Sequence, residues 1–116
     1  MFSTPSYGEW TKVGSTGNGA FTYYVDFERI RKHDGYVYFW ELGNYLKPNK
    51  WGSLSVKMYY QGDCKLFRYK TLTDSFYKGP MGTGDGNGSS NKPDKEWNYP
   101  PPNSVGEAIL KTVCGQ

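Results

Sequence analysis

The glycine-rich stretch at residues 80–97, PMGTGDGNGSSNKPDKEW, has the residue types of a ligand-binding loop. A phosphate loop needs a glycine directly before Lys-Ser or Lys-Thr, and no glycine in the chain occupies that place. The dinucleotide pattern that starts at Gly82 fails because Asn87 stands where the third glycine belongs. A calcium loop starting at Asp85 would put Ser90 where glycine is required. We therefore interpret the stretch as a mobile surface loop that tethers a sheet to the segment leading into a helix.

Side chains that could support catalysis are few. The single histidine, His33, follows Lys32 at a turn signal, so we expect it to be exposed rather than catalytic. The chain contains no G-x-S-x-G nucleophile elbow, and nothing in the sequence brings carboxylates such as Glu41 and Asp74 together. We therefore predict a protein that is not an enzyme, with no cofactor and no metal site.

The two cysteines, Cys64 and Cys114, are too far apart for a C-x-x-C redox motif. One histidine in the whole chain leaves no zinc-binding set. The pattern predicts a disulfide that ties a helix to a strand, and the alternative is two free buried thiols. A disulfide indicates an oxidising compartment and so favours an exported protein.

The composition favours a β-rich domain. Aromatic residues make up 18% of the 116 residues, and tyrosine alone occurs 11 times. Such side chains suit pleated, half-buried surfaces. The net charge of +3 is too small to indicate a nucleic-acid-binding protein, so we expect no nucleic-acid partner. We predict a disordered segment at residues 1–8 and a single domain at residues 9–116.

No part of the sequence looks like a transmembrane helix, and the start, MFSTPSYGEW, lacks the basic and apolar regions of a signal peptide. With the cysteine pair, this favours a mature exported domain whose leader is absent from this chain. We expect a periplasmic, outer-membrane-associated or cell-surface location. Membrane association would then depend on an anchor that is not present in this chain.

Alternating apolar residues predict strands joined by short antiparallel connections. The predicted strands lie at residues 9–13, 21–25, 36–46, 54–60 and 64–77, the last as one long strand or two short ones, which gives five or six strands. One helical turn is predicted at residues 26–32. Residues 104–114 predict the one good helix, because Ser104 and Glu107 form a capping box and Gly115 suits a C-cap. A helix this short must pack on an apolar sheet face to be stable.

The aromatic residues leave two interpretations open. The four tryptophans and the tyrosines could line a groove for sugars or for single-stranded bases, or they could fill a core that is short of leucine and isoleucine. We expect Trp40 to lie in the core. We expect Trp51, beside Lys50 in a polar loop, to be exposed.

Three blocks of the sequence carry a family resemblance. They are EWTKVGSTGNGAFTYYVDFERI, DCKLFRYKTLTDSFY and EWNYPPPNSVGEAILKTVC, with M-G-x-G between the last two. Their order and the placement of both cysteines resemble the surface-adhesin protein E-like domain of exported bacterial proteins, over residues 9–114.

The resemblance implies an α+β, mainly β fold: about six antiparallel strands with one C-terminal helix packed on the sheet and tethered by a disulfide. It also implies an adhesin for extracellular-matrix or envelope proteins, and a homodimer. In the family, binding is attributed to a basic strand segment around the mid-chain cysteine, which matches residues 53–77 here. The cations of that segment are Lys57, Lys65, Arg68 and Lys70.

Two alternatives stay open beside the adhesin. One is a carbohydrate-binding module that uses Trp51 and exposed tyrosines. The other is a structural envelope domain without a soluble ligand.

Overall fold

The computed structural model describes residues 9–116, so the predicted disordered segment at residues 1–8 lies outside the described residues. Within these described residues, seven strands and one α-helix form the fold. The strands are β1 (Thr11–Thr16), β2 (Phe21–Val25), β3 (Arg31–His33), β4 (Tyr36–Tyr45), β5 (Ser55–Asp63), β6 (Arg68–Tyr77) and β7 (Gly86–Ser90). The helix is α1 (Val105–Cys114), and two 3-10 turns lie at Phe27–Arg29 and Pro80–Gly82.

The strands form one antiparallel sheet in the order β1-β2-β4-β5-β6-β7. The short strand β3 pairs with the start of β4, next to the part that β2 uses. This mainly β arrangement with one C-terminal helix confirms the predicted fold class. The prediction of about six strands missed β3, which overlaps the end of the predicted helical turn, and β7.

Strand β7 corrects our interpretation of the glycine-rich stretch. Residues 86–90 pair with β6, and the side-chain amide of Asn87 donates to the carbonyl oxygen of Trp51 and to the hydroxyl of Ser53. The stretch is therefore part of the sheet edge rather than a free tether. Sequence propensity could not show this, because glycine disfavours strands, whereas the unpaired backbone groups of β6 offer hydrogen bonds to any extended segment.

Helix α1 begins where the capping residues predicted it would. The hydroxyl of Ser104 accepts from the backbone N–H of Glu107, and the carboxylate of Glu107 accepts from the N–H of Asn103. The helix then packs on one face of the sheet. Three helix residues and three strand residues, all buried, form this core: Ile109, Leu110, Val113, Val25, Val37 and Phe39.

The predicted disulfide joins this helix to the sheet. Cys64 lies in the turn between β5 and β6, Cys114 is the last residue of α1, and their Cα atoms are 5.7 Å apart. The bond confirms the predicted pairing and excludes the alternative of two free thiols.

Gly43 should tolerate no side chain, because Phe21 packs across it. A Cβ atom at Gly43 would lie 2.0 Å from Cζ of Phe21, whose ring is wedged between Tyr23 and Tyr45. We expect Gly43→Ala to lower the free energy of unfolding by about 2 kcal/mol, since the ring has to leave a packed site. Urea denaturation followed by tryptophan fluorescence would measure this change.

The matched control for that variant is Gly86→Ala in β7. A Cβ atom at Gly86 would have no atom within 4 Å. The control should stay within about 0.5 kcal/mol of the native chain. Equal destabilisation by both substitutions would contradict the role given to Phe21.

Candidate functional site

The sheet has one face covered by α1 and one face opposite it, which we call the open face. Strand alternation assigns the residues. On β4, Val37 and Phe39 face the helix, so their neighbours Tyr38 and Trp40 lie on the open face. Within residues 9–116, the Pro80–Gly82 turn covers one end of the open face, where Gly82 lies beside the side chains of Lys57 and Leu42. The middle of the face carries half-buried side chains.

A row of aromatic rings, which we call the aromatic ladder, crosses the open face. The rings of Trp40 and Tyr59 have centroids 4.7 Å apart, and Tyr59 stacks on Tyr38 at 6.2 Å. At the other end of β4, Tyr36 lies 5.7 Å from Trp97. All five side chains are half-buried, so each ring keeps part of its surface available for contact. A rigid aromatic surface of this kind can bind a ligand at low cost in side-chain entropy.

The position of Trp40 corrects our prediction that this residue lies in the core. Its alternation with Phe39 puts it on the face opposite α1, where it is half-buried against Tyr59. Period-two alternation separates the two faces of a strand but does not tell which face the helix will cover. That choice depends on the position of α1, which is far away in the sequence.

Two of the four predicted cations meet at the end of the aromatic ladder. The guanidinium carbon of Arg68 lies 4.3 Å from the ring centroid of Trp97, and the ammonium nitrogen of Lys70 lies 4.9 Å from it. Cations over an indole face are favoured by the ring quadrupole. The structure therefore brings Arg68, Lys70 and Trp97 together, although only the two cations belong to the predicted basic segment.

Arg68 is an ion-paired residue. Its Nε atom donates to Asp63 at 2.8 Å, and the same carboxyl group accepts from the N–H groups of Lys65 and Leu66 in the β5–β6 turn. Burial would raise the pKa of Asp63, but the hydrogen bonds from Arg68 and from the backbone outweigh it and hold that pKa below its ordinary value. Arg68 thus orients the ring of Trp97, and Asp63 neutralises the charge of Arg68.

The other predicted site residues lie apart from this cluster. Lys57 is on the open face near the ring of Tyr77, at 5.2 Å. Lys70 pairs with Gln61 on β5, and Lys57 lies four residues before Gln61 on the same strand. Lys57 is therefore about 13 Å along the strand from Lys70. Lys65 is exposed in the β5–β6 turn. The four cations therefore do not form one continuous row.

Trp51 lies in the loop between β4 and β5, where 69% of its surface is exposed. The ammonium group of Lys50 lies 4.5 Å from its ring centroid. This confirms the predicted exposure. The structure places Trp51 outside the aromatic ladder, so the aromatic candidates for binding are different from the one that sequence reasoning selected.

Trp97 is the residue of this site that sequence reasoning did not assign to it. It follows the glycine-rich stretch, and its position depends on backbone hydrogen bonds between Tyr69 and Asn98. The side chain of Asp94 also accepts from the N–H of Thr71. This segment extends the sheet edge beyond β7, and no pattern in residues 91–99 indicates such pairing.

Metal chemistry has no evident basis in the described part of the chain. Between residues 9 and 116, no group of three His, Cys, Asp or Glu side chains could hold a metal ion together. His33 is exposed and contacts Asp34 at 3.1 Å.

Comparison with known proteins adds the family. The sequence profile of the family described as Surface-adhesin protein E matches residues 10–115. The chain belongs to this family. A search of curated protein sequences finds no significant match.

Solved structures of adhesin E relatives share the fold. One structure of Haemophilus influenzae protein E has 20% sequence identity and a TM-score of 0.68, and the match covers 99% of this chain and 94% of that chain. A second crystal form has 20% identity and a TM-score of 0.67, with 98% and 94% covered. Protein E from non-typeable Haemophilus influenzae has 17% identity and a TM-score of 0.65, with 97% and 80% covered.

Membership of the adhesin E family supports an adhesin-like, surface-exposed bacterial protein and favours the predicted non-enzymatic role. The low identity to the solved structures means that they support the fold and not a ligand. Among the residues that the structure describes, no helix has both the length and the apolar character needed to cross a bilayer.

Proposed function

We propose that this adhesin E domain is exported and non-enzymatic, and that it binds an extracellular-matrix or envelope protein through its open face. The observation that carries the proposal is the aromatic ladder, which ends in the cluster of Trp97, Arg68 and Lys70. Aromatic and arginine side chains that keep part of their surface accessible on a rigid support are the residue types that contribute most to protein–protein affinity.

The charge on this face suits an acidic segment of the partner. Lys57 and Lys70 are half-buried on the open face, and Lys65 is exposed beside it in the β5–β6 turn. Charges at the rim of an interface mainly speed association and make it salt-dependent. We assign the larger share of the affinity to the aromatic ladder, because exposed ion pairs each contribute little.

The test is charge reversal at the three lysines. We expect Lys57→Glu, Lys65→Glu and Lys70→Glu together to weaken binding about tenfold at physiological salt, which corresponds to about 1.4 kcal/mol. An array of matrix, serum and envelope proteins would first identify the ligand for the disulfide-intact native chain. Surface plasmon resonance at two salt concentrations would then compare the variants. Arg68 stays unchanged, since its replacement would leave Asp63 without its ion-pair partner.

The matched control reverses three exposed lysines elsewhere, Lys47, Lys92 and Lys111. It changes the net charge by the same amount, so any effect of overall charge appears in both proteins. Binding should change less than twofold in the control. Equal loss of affinity in both variants, or no loss in either, would show that Lys57, Lys65 and Lys70 do not attract the partner through the open face.

The aromatic ladder also supports a second candidate, a glycan ligand. Sugar rings stack on aromatic faces, and Gln61, which donates to the hydroxyl of Tyr38, supplies a polar group beside Tyr59. Glycan binding would quench tryptophan fluorescence and would persist at high salt.

A blank array with dimers in sedimentation experiments would instead favour a structural envelope domain whose partner is a second copy.

A further inference from the structure

A cavity lies on the opposite side of the sheet from the aromatic ladder, beneath the start of α1. Its volume is about 290 Å³. The sheet contributes its floor and the helix with the preceding prolines contributes its roof. The lining includes Thr16, Tyr23, Glu41, Tyr60, Tyr69 and Pro101. Thr16 and Pro101 are exposed, so the cavity reaches the protein surface.

Glu41 is the one acidic residue in this lining. Only 6% of its surface is exposed, and no hydrogen-bond donor or cation among residues 9–116 contacts its carboxyl group. No fully buried side-chain oxygen in the described residues lacks a partner, so the carboxyl oxygens of Glu41 must adjoin the open volume of the cavity. A carboxylate that is buried without a partner is costly, and a ligand can supply the missing partner.

Aromatic rings surround the same volume. Tyr60 meets Tyr69 edge-on at 5.5 Å and lies 5.4 Å from Phe39, while Tyr23 lines the cavity from β2. Ring faces carry negative electrostatic potential and attract cations, above all ammonium groups removed from water. No lysine, arginine or histidine occurs in the lining, so nothing in it would repel a positive charge.

We propose that this cavity binds a small organic cation, an ammonium group on a short carbon skeleton, with Glu41 as its counter-ion and Tyr23, Tyr60 and Tyr69 around it. The volume equals that of about ten liquid waters, which suits a ligand of roughly ten non-hydrogen atoms. This site is independent of the open face, because the sheet lies between the two.

Binding of a cation in this cavity is coupled to the loss of a proton from Glu41. Burial raises its pKa to about 8. The charge of Glu41 interacts with the phenols of Tyr23, Tyr60 and Tyr69, whose own pKa values are raised, mainly by burial. The hydroxyl of Ser104 lines the same cavity, but it donates to the carbonyl of Pro101 and accepts from the N–H of Glu107. In the empty cavity Glu41 therefore holds a proton at neutral pH, and an entering cation displaces it.

Choline is a suitable probe, because it presents a quaternary ammonium on a small skeleton. Isothermal titration calorimetry with the disulfide-intact chain should show binding whose affinity rises about 100-fold between pH 6 and pH 9, since the ionised form of Glu41 becomes dominant over that range. In buffers of different ionisation enthalpy, the heat at pH 7 should report close to one proton released. The uncharged analogue 3,3-dimethylbutan-1-ol should bind far more weakly.

Two variants test the assignment to this cavity. Glu41→Gln keeps the shape and removes the charge, so the pH dependence and most of the choline affinity should disappear. Gly106→Leu keeps Glu41 but adds volume at the cavity wall, where a Cβ atom meets no atom closer than 3.7 Å, so the helix should tolerate it while binding is lost. The matched control is the exposed carboxylate Glu96→Gln, which should bind choline like the native chain.

The outcomes separate clearly. Loss of binding in both cavity variants with retention in the control supports the proposal. Equal, pH-independent binding of choline and its uncharged analogue overturns it, and so does the absence of choline binding at pH 9. Phosphocholine distinguishes the source of the cation: binding as tight as that of choline would indicate a lipid headgroup, and weaker binding would indicate a free amine.

Discussion

Replacement of Glu41 by glutamine is expected to make the domain more stable at high pH and to leave its stability at pH 5 nearly unchanged. The ordinary pKa of this group is 4.5, and burial raises it to about 8 in the folded chain. Between these values the unfolded chain releases a proton that the folded chain retains. Rising pH therefore favours unfolding, and the full effect of about 5 kcal/mol is reached above pH 8. Glutamine does not titrate, so the free energy of unfolding of the variant does not fall in this way as the pH rises.

Urea denaturation between pH 5 and pH 9 would measure the effect. The free energy of unfolding of the native chain should fall across this range, whereas that of Glu41→Gln should stay nearly level. Despite burial, the pKa of Asp63 is lowered by its hydrogen bonds, and the pKa values of Tyr23, Tyr60 and Tyr69 are raised above their ordinary value of 10.0, mainly by burial, so these groups do not disturb the measurement. Glu96→Gln, at an exposed position, should follow the native chain. Parallel curves for Glu41→Gln and the native chain would show that Glu41 titrates normally.

This cost bears on the proposed cation site. An unpaired acid beneath a helix weakens the fold at the pH of most extracellular fluids, and leucine or glutamine could occupy the position without that cost. A ligand that pairs with Glu41 in the folded state alone would restore the lost stability by mass action. The native chain should then unfold at a higher urea concentration at pH 9 when choline is present.

Removal of the disulfide is expected to lower the free energy of unfolding strongly. Cys64 and Cys114 are separated by 50 residues, and in the chain-entropy model a loop of this length contributes about 4 kcal/mol. We expect the double variant Cys64→Ser with Cys114→Ser to lose about that amount, a large part of the stability of a domain of this size. Urea denaturation monitored by circular dichroism would follow the helix together with the sheet.

Reduction of the native chain supplies the internal control. The reduced native chain should match the double variant, and the variant should be unaffected by reductant. A loss below about 1 kcal/mol would show that the packing of Ile109, Leu110 and Val113 on the sheet is sufficient without the covalent bond.

Local signals explain what was predictable. The start of α1 was predictable because a capping serine and its glutamate are three residues apart, and the β1–β2 hairpin because alternating apolar runs flank a glycine-rich turn. The cysteine pair followed from counting, since two cysteines and one histidine leave few alternatives. Each signal acts over a few residues or depends on composition alone.

The candidate sites were less predictable. Arg68 and Lys70 are two residues apart on β6, so the sequence could predict that they share a face, and Lys57 lies on the neighbouring strand β5. The ion pair of Arg68 with Asp63 was not predictable, because it forms only when the β5–β6 turn brings the two residues together. Glu41 shares its strand face with Val37 and Phe39. That pattern was visible, yet it indicated burial only once the helix was known to cover that face.

Composition and local patterns were sufficient to predict the class of fold, the helix with its cap, the disulfide and the exposure of Trp51. Four features became known from the folded chain alone: the face of β4 that the helix covers, the place of Trp40 in the aromatic ladder, the pairing of residues 86–90 at the sheet edge, and the cavity around Glu41. The difference lies in the range of the interactions. Caps, turns and alternation are energies between near neighbours, whereas burial and edge pairing depend on contacts between segments that are distant in the chain.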